Sequence, residues 1–309
     1  MARRVPIAED TLLFEFRSAD GGELAPFTAG AHIGLHVPNG TLRKYSLCNA
    51  PGERDRYEIA VKREAAGHGG SCSLVDGTRV GDSLDATPPH NSFELVEGAG
   101  PFVFIAGGIG ITPILSMLRH LEASARTGYH LYYLCRSEAS TAFGDVLRAG
   151  PFAPRVTIHH DGGDPAHAFD LWPVLEKPSK AHVYCCGPRP LLEAVRDMTG
   201  HWPASRIHFE SFIDAAAAQT PADTEFQVRL ARSGITVRVP PGASMLESMR
   251  AAGAEVPSSC ESGTCGTCKT RLIEGEPDHR DLVLTDEEKG EYIMVCVSRA
   301  KSSLLVVDR

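Results

Sequence analysis

Residues 259–268 read SCESGTCGTC, and Cys296 follows after 27 more residues. The spacing is C-x4-C-x2-C with a distant fourth cysteine, a pattern that suits four thiolates around a binuclear [2Fe–2S] cluster. Three ligands can come from one loop only if the loop wraps the metal. Gly263 and Gly266 permit backbone angles that a Cβ would block. Backbone N–H groups can then point at the sulfurs and offset their negative charge. Structural zinc, the alternative, usually takes two C-x2-C-like pairs, and this stretch has one. Cys260, Cys265, Cys268 and Cys296 are therefore the candidate metal ligands.

The flanking sequence predicts a small α+β module. Phe226, Val228 and Leu230 alternate, as do Ile235, Val237 and Val239, with Ser233 and Gly234 between them as a hairpin turn. Ser244 is placed to cap a helix whose Met245, Leu246 and Met249 share a face, and these methionines read as core rather than ligands. A strand over 270–273, a short helix after Thr285 and strands over 293–297 and 304–307 complete a mixed sheet gripping a helix.

In the middle of the chain, the apolar run 102–106 enters the turn GGIGITP at 107–113. Thr112 reads as N-cap and Pro113 as the first helical residue; Ile114, Met117, Leu118 and Leu121 form one apolar face. A glycine turn before a helix start is a place for a pyrophosphate. Strands over 129–135, 156–160 and 182–186 follow, the last feeding a helix with Leu191, Leu192, Val195 and Met198. Alternating strands and helices predict a parallel sheet with ligands at its carboxyl ends, here 108–113, 135–137 and 186–188. Cys186 reads equally as a packed core thiol or as a wall of the ligand site, and exposure decides between them. Cys48, Cys72, Cys135 and Cys185 have no ligand spacing and read as packing; the histidines form no metal-binding pair.

The first hundred residues are strands. Leu12, Phe14 and Phe16 alternate, then Ala31, Ile33, Leu35 and Val37, then Tyr57, Ile59 and Val61. Gly, Pro and Asn separate them, which predicts a small antiparallel barrel. Two polar clusters stand out, RKYS at 43–46 and GHGGS at 67–71. Arg and glycine-flanked Ser suit a phosphate, and Tyr suits an aromatic ring; a solvated loop is the alternative.

Composition agrees with a multidomain globular protein. The 309 residues predict two or three domains, and 42% hydrophobic with 23% charged residues excludes disorder. The net charge of −8 speaks against a general nucleic-acid binder. No stretch reaches the ~18–20 apolar residues of a membrane span, and the start carries no secretory signal, so the expected location is cytoplasmic. There clustered cysteines mean metal or catalysis.

Taken together, RKYS at 43–46, residues 67–71, residues 107–113, CCGP at 185–188, HFESF at 208–212 and the cysteine set resemble the phthalate dioxygenase reductase family, a branch of the ferredoxin–NADP reductase superfamily, over nearly the whole chain. The resemblance implies a flavin-binding antiparallel β-barrel at 1–96, an α/β nicotinamide domain at 97–213, a linker at 214–224 and a β-grasp plant-type ferredoxin domain at 225–309. It implies FMN held by Arg43, Lys44, Tyr45 and Ser46, with Ser46 near flavin N5. Ala60, Val61 and Lys62 would line the ring, and Gly69, Gly70 and Ser71 would take the phosphate. Gly108, Gly110, Cys186, Gly187 and Pro188 would bind NADH, Thr112 would approach the ring where nicotinamide docks, and Phe212 would cover one flavin face. Ser46, Thr112 and Cys186 are the implied catalytic positions.

The implied activity is hydride transfer from NADH to FMN, then single electrons through [2Fe–2S] to a Rieske-type oxygenase in aromatic catabolism. Arg136, at the end of the second nicotinamide-domain strand, keeps NADPH open, because Arg suits a 2′-phosphate. Glu261, Glu274, Glu276, Asp278, Glu287 and Glu288 either steer a basic partner or are solvated surface charges. Two other readings compete with an electron-transfer enzyme. One is a redox-sensing binding protein; the other is a free-flavin reductase with a structural zinc module.

Overall fold

The computed structural model describes residues 1–67, 69–98, 100–212 and 223–309. The chain divides into two compact units, Met1–His208 and Phe209–Arg309. The linker expected at 214–224 lies outside the described residues except for Asp223 and Thr224.

The first unit begins with β1 (Arg3–Ala8), β2 (Thr11–Phe16), β3 (His32–His36), β4 (Leu42–Ser46) and β5 (Tyr57–Lys62). β1, β2 and β5 form one antiparallel sheet, β3 and β4 another, and a Leu47–Ile59 bridge joins the two. Phe14, Ile33, Leu35, Leu47, Ile59 and Leu74 fill the interior. The alternation expected for β5 is only half of its story, since Tyr57 through Val61 are all buried. Val61 packs inside the barrel, while Ala60 belongs to the core of the neighbouring sheet. β5 is thus a wall shared by both layers. β3 is likewise buried at His32 and Gly34 as well as at the alternating apolar positions. Helix α1 (Gly70–Gly77) follows.

The second layer of this unit is built from β6 (Phe102–Gly107), α2 (Ile111–Ala123), β7 (Tyr129–Cys135), α3 (Gly144–Arg148), β8 (Val156–His160), α4 (Trp172–Leu175), β9 (His182–Cys186), α5 (Arg189–Met198) and β10 (Ile207–Glu210). The sheet order is β10-β9-β6-β7-β8, and β6 pairs in parallel with both β7 and β9. Order reverses on the two sides of β6, so the carboxyl ends of β6 and β9 flank the topological switch point where ligands bind. The three strands expected here match residue for residue. The helix start differs. A 3₁₀ turn over Gly108–Gly110 makes Gly110 the N-cap, and the Thr112 hydroxyl donates back to the Ile109 carbonyl at 3.1 Å.

In the second unit, β11 (Phe226–Leu230) and β12 (Thr236–Val239) form the expected hairpin, followed by α6 (Met245–Ala251), β13 (Lys269–Glu274), β14 (Pro277–Asp278), β15 (Tyr292–Met294), β16 (Arg299–Ala300) and β17 (Leu304–Val307). The order β12-β11-β17-β13-β15, with β11 and β17 parallel and the rest antiparallel, is a β-grasp sheet. Ser244 and Glu247 form a reciprocal capping box on α6, a device that stabilises a helix by about 1 kcal/mol. Met245 and Met249 are fully buried core residues, as expected. Ile235 falls outside β12 and is exposed, the helix expected after Thr285 is one 3₁₀ turn over Glu288–Gly290, and the strand expected over 293–297 stops at Met294. That early stop leaves Cys296 in a turn rather than locked into sheet pairing. Asp223 is seated by Arg280 at 2.7 Å and Arg299 at 3.4 Å, a buried ion cluster at the start of the module.

Candidate functional site

β4 lifts Arg43 and Tyr45 onto one side of its strand and Lys44 onto the other, so the exposed Lys44 does not join them. Ser46 ends the strand, buried. Arg43 lies across the start of α1, where a Cβ on Gly70 would come within 2.5 Å of its Nε. Gly69, at φ 78, turns the chain into that helix, and no side chain caps it. The first-turn N–H groups of α1 have no side-chain cap and Arg43 passes beside them, groups of the kind that can hold one phosphate. The Ser71 hydroxyl accepts from the Glu64 N–H at 3.0 Å, which leaves its own proton free to donate. Within this cluster Gly69 is the N-cap and Gly70 and Ser71 open α1. From β5, Ala60 and the half-buried Lys62 are on the outer side and Val61 is turned inward.

At the switch point the turns after β6 and β9 touch. A Cβ on Gly110 would lie 2.2 Å from the Cys186 carbonyl oxygen, and one on Gly107 would lie 2.6 Å from Pro188 Cδ. Only glycine lets these turns close to form one crevice floor. Gly108 has φ 52 and open space around it. Cys186 is fully buried in the core, so exposure favours the packed thiol, and it is its backbone carbonyl that abuts the Gly110 turn. Thr112 is 2% exposed at the same end of α2. Cys48, Cys135 and Cys185 are also buried, and burial pushes the Cys48 thiol up to about 12, as expected of packing residues. Arg136 is exposed at the end of β7, and its guanidinium makes no hydrogen bond or ion pair among the described residues. Phe212 is 44% exposed and falls in the second unit.

In the second unit the four candidate ligands fall into two pairs. A hydrogen bond from the neighbouring Cys265 thiol lowers the Cys260 thiol, and one from Cys296 lowers Cys268. The Cys260 N–H points at Cys265 Sγ (3.5 Å) and the Ser262 N–H at Cys260 Sγ (3.4 Å). Thr267 Oγ1 lies 3.3 Å from Cys265 Sγ. Gly263, at φ 76, lets the loop pass where a Cβ would strike Val297 at 2.7 Å. No three His, Cys, Asp or Glu side chains converge on a single ion among the described residues. N–H groups aimed at sulfur, on a C-x4-C-x2-C loop with a distant fourth cysteine, suit the thiolates of a [2Fe–2S] cluster. Of the acidic residues near the loop, Glu261, Glu274, Asp278 and Glu288 pair with Arg250, Arg229, Arg280 and Lys269. They act mainly as paired surface charges.

The sequence reading missed α1 and the contacts of α2 with the barrel. Short α1, GSCSLVDG, has glycine at both ends and few helix formers, so periodicity has nothing to report.

Comparison with known proteins agrees with this geometry. The oxidoreductase FAD-binding domain family matches residues 1–95, and the 2Fe-2S iron-sulfur cluster binding domain family matches residues 228–301. The phthalate 4,5-dioxygenase oxygenase reductase subunit of Pseudomonas putida is 53% identical over 306 residues, covering 99% of this chain and 94% of that protein. The phthalate dioxygenase reductase of Burkholderia cepacia is 53% identical over 309 residues, covering 100% and 96%. A solved phthalate dioxygenase reductase structure, described as modular for electron transfer from pyridine nucleotides to [2Fe-2S], superposes with a TM-score of 0.75 at 53% identity, covering 100% of this chain and 96% of that one. No described helix is long and apolar enough to cross a membrane. With a flavin barrel, a parallel nicotinamide sheet and a cysteine loop in one polypeptide, the chain belongs to the phthalate dioxygenase reductase family, NADH-dependent oxidoreductases that use FMN and a [2Fe–2S] cluster.

Proposed function

We propose that this chain is the reductase component of a Rieske-type aromatic-ring oxygenase or O-demethylase system, working in the cytoplasm, where its nine cysteines stay reduced. The observation that carries the reading is the cysteine loop at 260–268, whose Cys260 and Ser262 N–H groups point at the Cys265 and Cys260 sulfurs, in the same chain as the glycine-floored crevice between the turns after β6 and β9. When bound, NADH supplies an electron pair, FMN converts the pair into single electrons, and [2Fe–2S] carries them one at a time.

The protein's part is binding and orientation. Arg43 and the α1 amides at Gly70 and Ser71 hold the flavin phosphate. Tyr45 and Ala60 bound the ring, and the Ser46 hydroxyl supplies a hydrogen-bonding group at its polar edge near N5. Gly108 and Gly110 bring the N-terminus of α2 to the pyrophosphate of the dinucleotide, and Cys186, Gly187 and Pro188 floor the nicotinamide pocket. Thr112 fixes the approach of the two rings.

Anaerobic titration with NADH, following flavin and cluster absorbance separately, tests the reading. The expected capacity is about three electrons per chain, two on flavin and one on the cluster. Protein that binds zinc and no iron, or whose flavin NADH leaves oxidised, overturns it. Negligible turnover with one-electron acceptors favours the sensor reading instead.

A further inference from the structure

Helix α2 carries a polar stripe that lies apart from its other polar residues, His120 and Glu122. Thr112, Ser116 and Arg119 recur at helical spacing, while Ile111, Ile114, Leu115, Met117, Leu118 and Leu121 are buried around them. Thr112 sits at the crevice. The other two reach into the barrel. The Ser116 hydroxyl donates to the Asn49 carbonyl at 2.8 Å, and Arg119 Nη1 donates to the Cys48 carbonyl at 2.7 Å and to Glu58 Oε2 at 3.1 Å.

The targets are not arbitrary. Cys48 and Asn49 are the second and third residues after Ser46, at the exit of the flavin strand. Glu58 is two residues before Ala60 on β5, and its other oxygen takes Arg56 Nε at 2.9 Å. The fully buried Asn49 then ties the two strands together. Its Oδ1 accepts from the Glu58 N–H at 3.0 Å, and its Nδ2 donates to the carbonyls of Glu53 (3.2 Å) and Arg56 (3.0 Å). One residue of the nicotinamide helix therefore grips both strands that hold the flavin ring. The same helix, through Gly110 against the Cys186 carbonyl, is locked to the nicotinamide floor.

Hydride transfer requires the reacting atoms to be held at about 3–3.5 Å, and a misplacement of about 1 Å costs on the order of 100-fold. We infer that Arg119, assisted by Ser116, is a positioning residue for hydride transfer, setting the separation of the flavin and nicotinamide rings by clamping the Cys48 carbonyl and Glu58 to α2. The inference rests on the placement of flavin on β4 and β5 and of nicotinamide at the β6 and β9 turns. Both bonds leave one nitrogen, Nη1, whose two N–H groups are fixed in the guanidinium plane, whereas a lysine ammonium turns freely on its stem.

The test uses FMN- and cluster-loaded Arg119→Ala, Arg119→Lys and Ser116→Ala. Anaerobic stopped-flow with NADH and with NADH deuterated at the transferred position gives the hydride step; the long-wavelength charge-transfer band reports ring overlap directly. Arg119→Ala is expected to keep its FMN and to bind NADH within about twofold, yet to reduce flavin about 10- to 100-fold more slowly, with a larger isotope effect and a weaker charge-transfer band. Arg119→Lys, which can remake one bond, should recover part of the rate and of the band. An unchanged band and rate in Arg119→Ala overturn the inference, and so does a rate that falls only in proportion to lost FMN. Should Arg119→Ala fail to fold, Ser116→Ala carries the decision: a smaller change of the same kind supports the clamp, and none overturns it. Failure of wild-type flavin to accept electrons from NADH would sink the underlying functional reading, an outcome distinct from all of these.

Discussion

Arg43 crosses the first residue of α1 so closely that a methyl group on Gly70 would sit 2.5 Å from its Nε and 2.8 Å from its Cγ. The guanidinium and the helix amides can share one phosphate only while that residue has no side chain. Gly70→Ala should therefore fold, with Arg43 pushed aside, and bind FMN about tenfold more weakly or worse, the loss of a charge-assisted hydrogen bond. Fluorescence titration of flavin-stripped protein with FMN measures it. Gly52→Ala, at an exposed glycine with nothing within 4 Å, is the control and should leave the affinity unchanged.

The thiol pairs make a separate prediction. Cys265→Ser removes one member of the pair with Cys260 and should abolish the cluster, seen as lost iron, lost acid-labile sulfide and lost cluster absorbance. NADH oxidation with an artificial dye should survive, because the first unit is intact, while transfer to the oxygenase disappears. Loss of both activities would show misfolding instead. Cys72→Ser, outside both pairs, should retain a full complement of iron.

His182 Nδ1 and His208 Nε2 lie 3.0 Å apart, and His208 stacks on Tyr184 at 4.2 Å between ring centres. Burial, and then the neighbouring His182, push His208 down to about 4 from the ordinary 6.5. The unfolded chain takes up a proton that the folded chain refuses between those values. The contribution of His208 to stability is full above about pH 6.5 and is lost as pH falls towards 4, with a limiting slope of about 1.4 kcal/mol per pH unit. Urea unfolding of wild type and His208→Gln across that window should show the wild type losing stability more steeply. Equal slopes would show that this histidine titrates as an ordinary one.

Arg136 extends from β7 with an unengaged guanidinium among the described residues, at the strand end where the ribose of a dinucleotide is read. Arg136→Ala should lower kcat/KM for NADPH about tenfold while changing NADH by less than about threefold. Steady-state rates with both donors decide it, and parallel losses would mean that Arg136 contacts a part common to the two.

The strongest local patterns were legible in the sequence. Strands β7, β8 and β9 could be bounded to the residue because apolar runs meet glycine, proline or charge at both ends. The cysteine spacing announced a cluster loop, and Ser244 announced its helix. Other features depend on partners that no window contains. Thr112 looked like a cap, but the glycines before it coil into a 3₁₀ turn and take over the helix start. Spacing alone did not divide the four cysteines into two pairs. The bonds of Ser116 and Arg119 to the barrel span 67 and 71 residues, and a serine and an arginine on a helix carry no local mark of such use.

β5 has no solvent side along Tyr57–Val61, since one face fills the barrel and the other the core of the parallel sheet. Anyone transplanting parts of this protein should treat residues 1–210, through the end of β10, as the smallest interchangeable cassette. A piece ending near residue 96 would carry an uncovered apolar seam and clump, whereas exchanging everything after 210 leaves that seam closed. Chimeras with a foreign electron-delivery head are accordingly best spliced beyond Glu210.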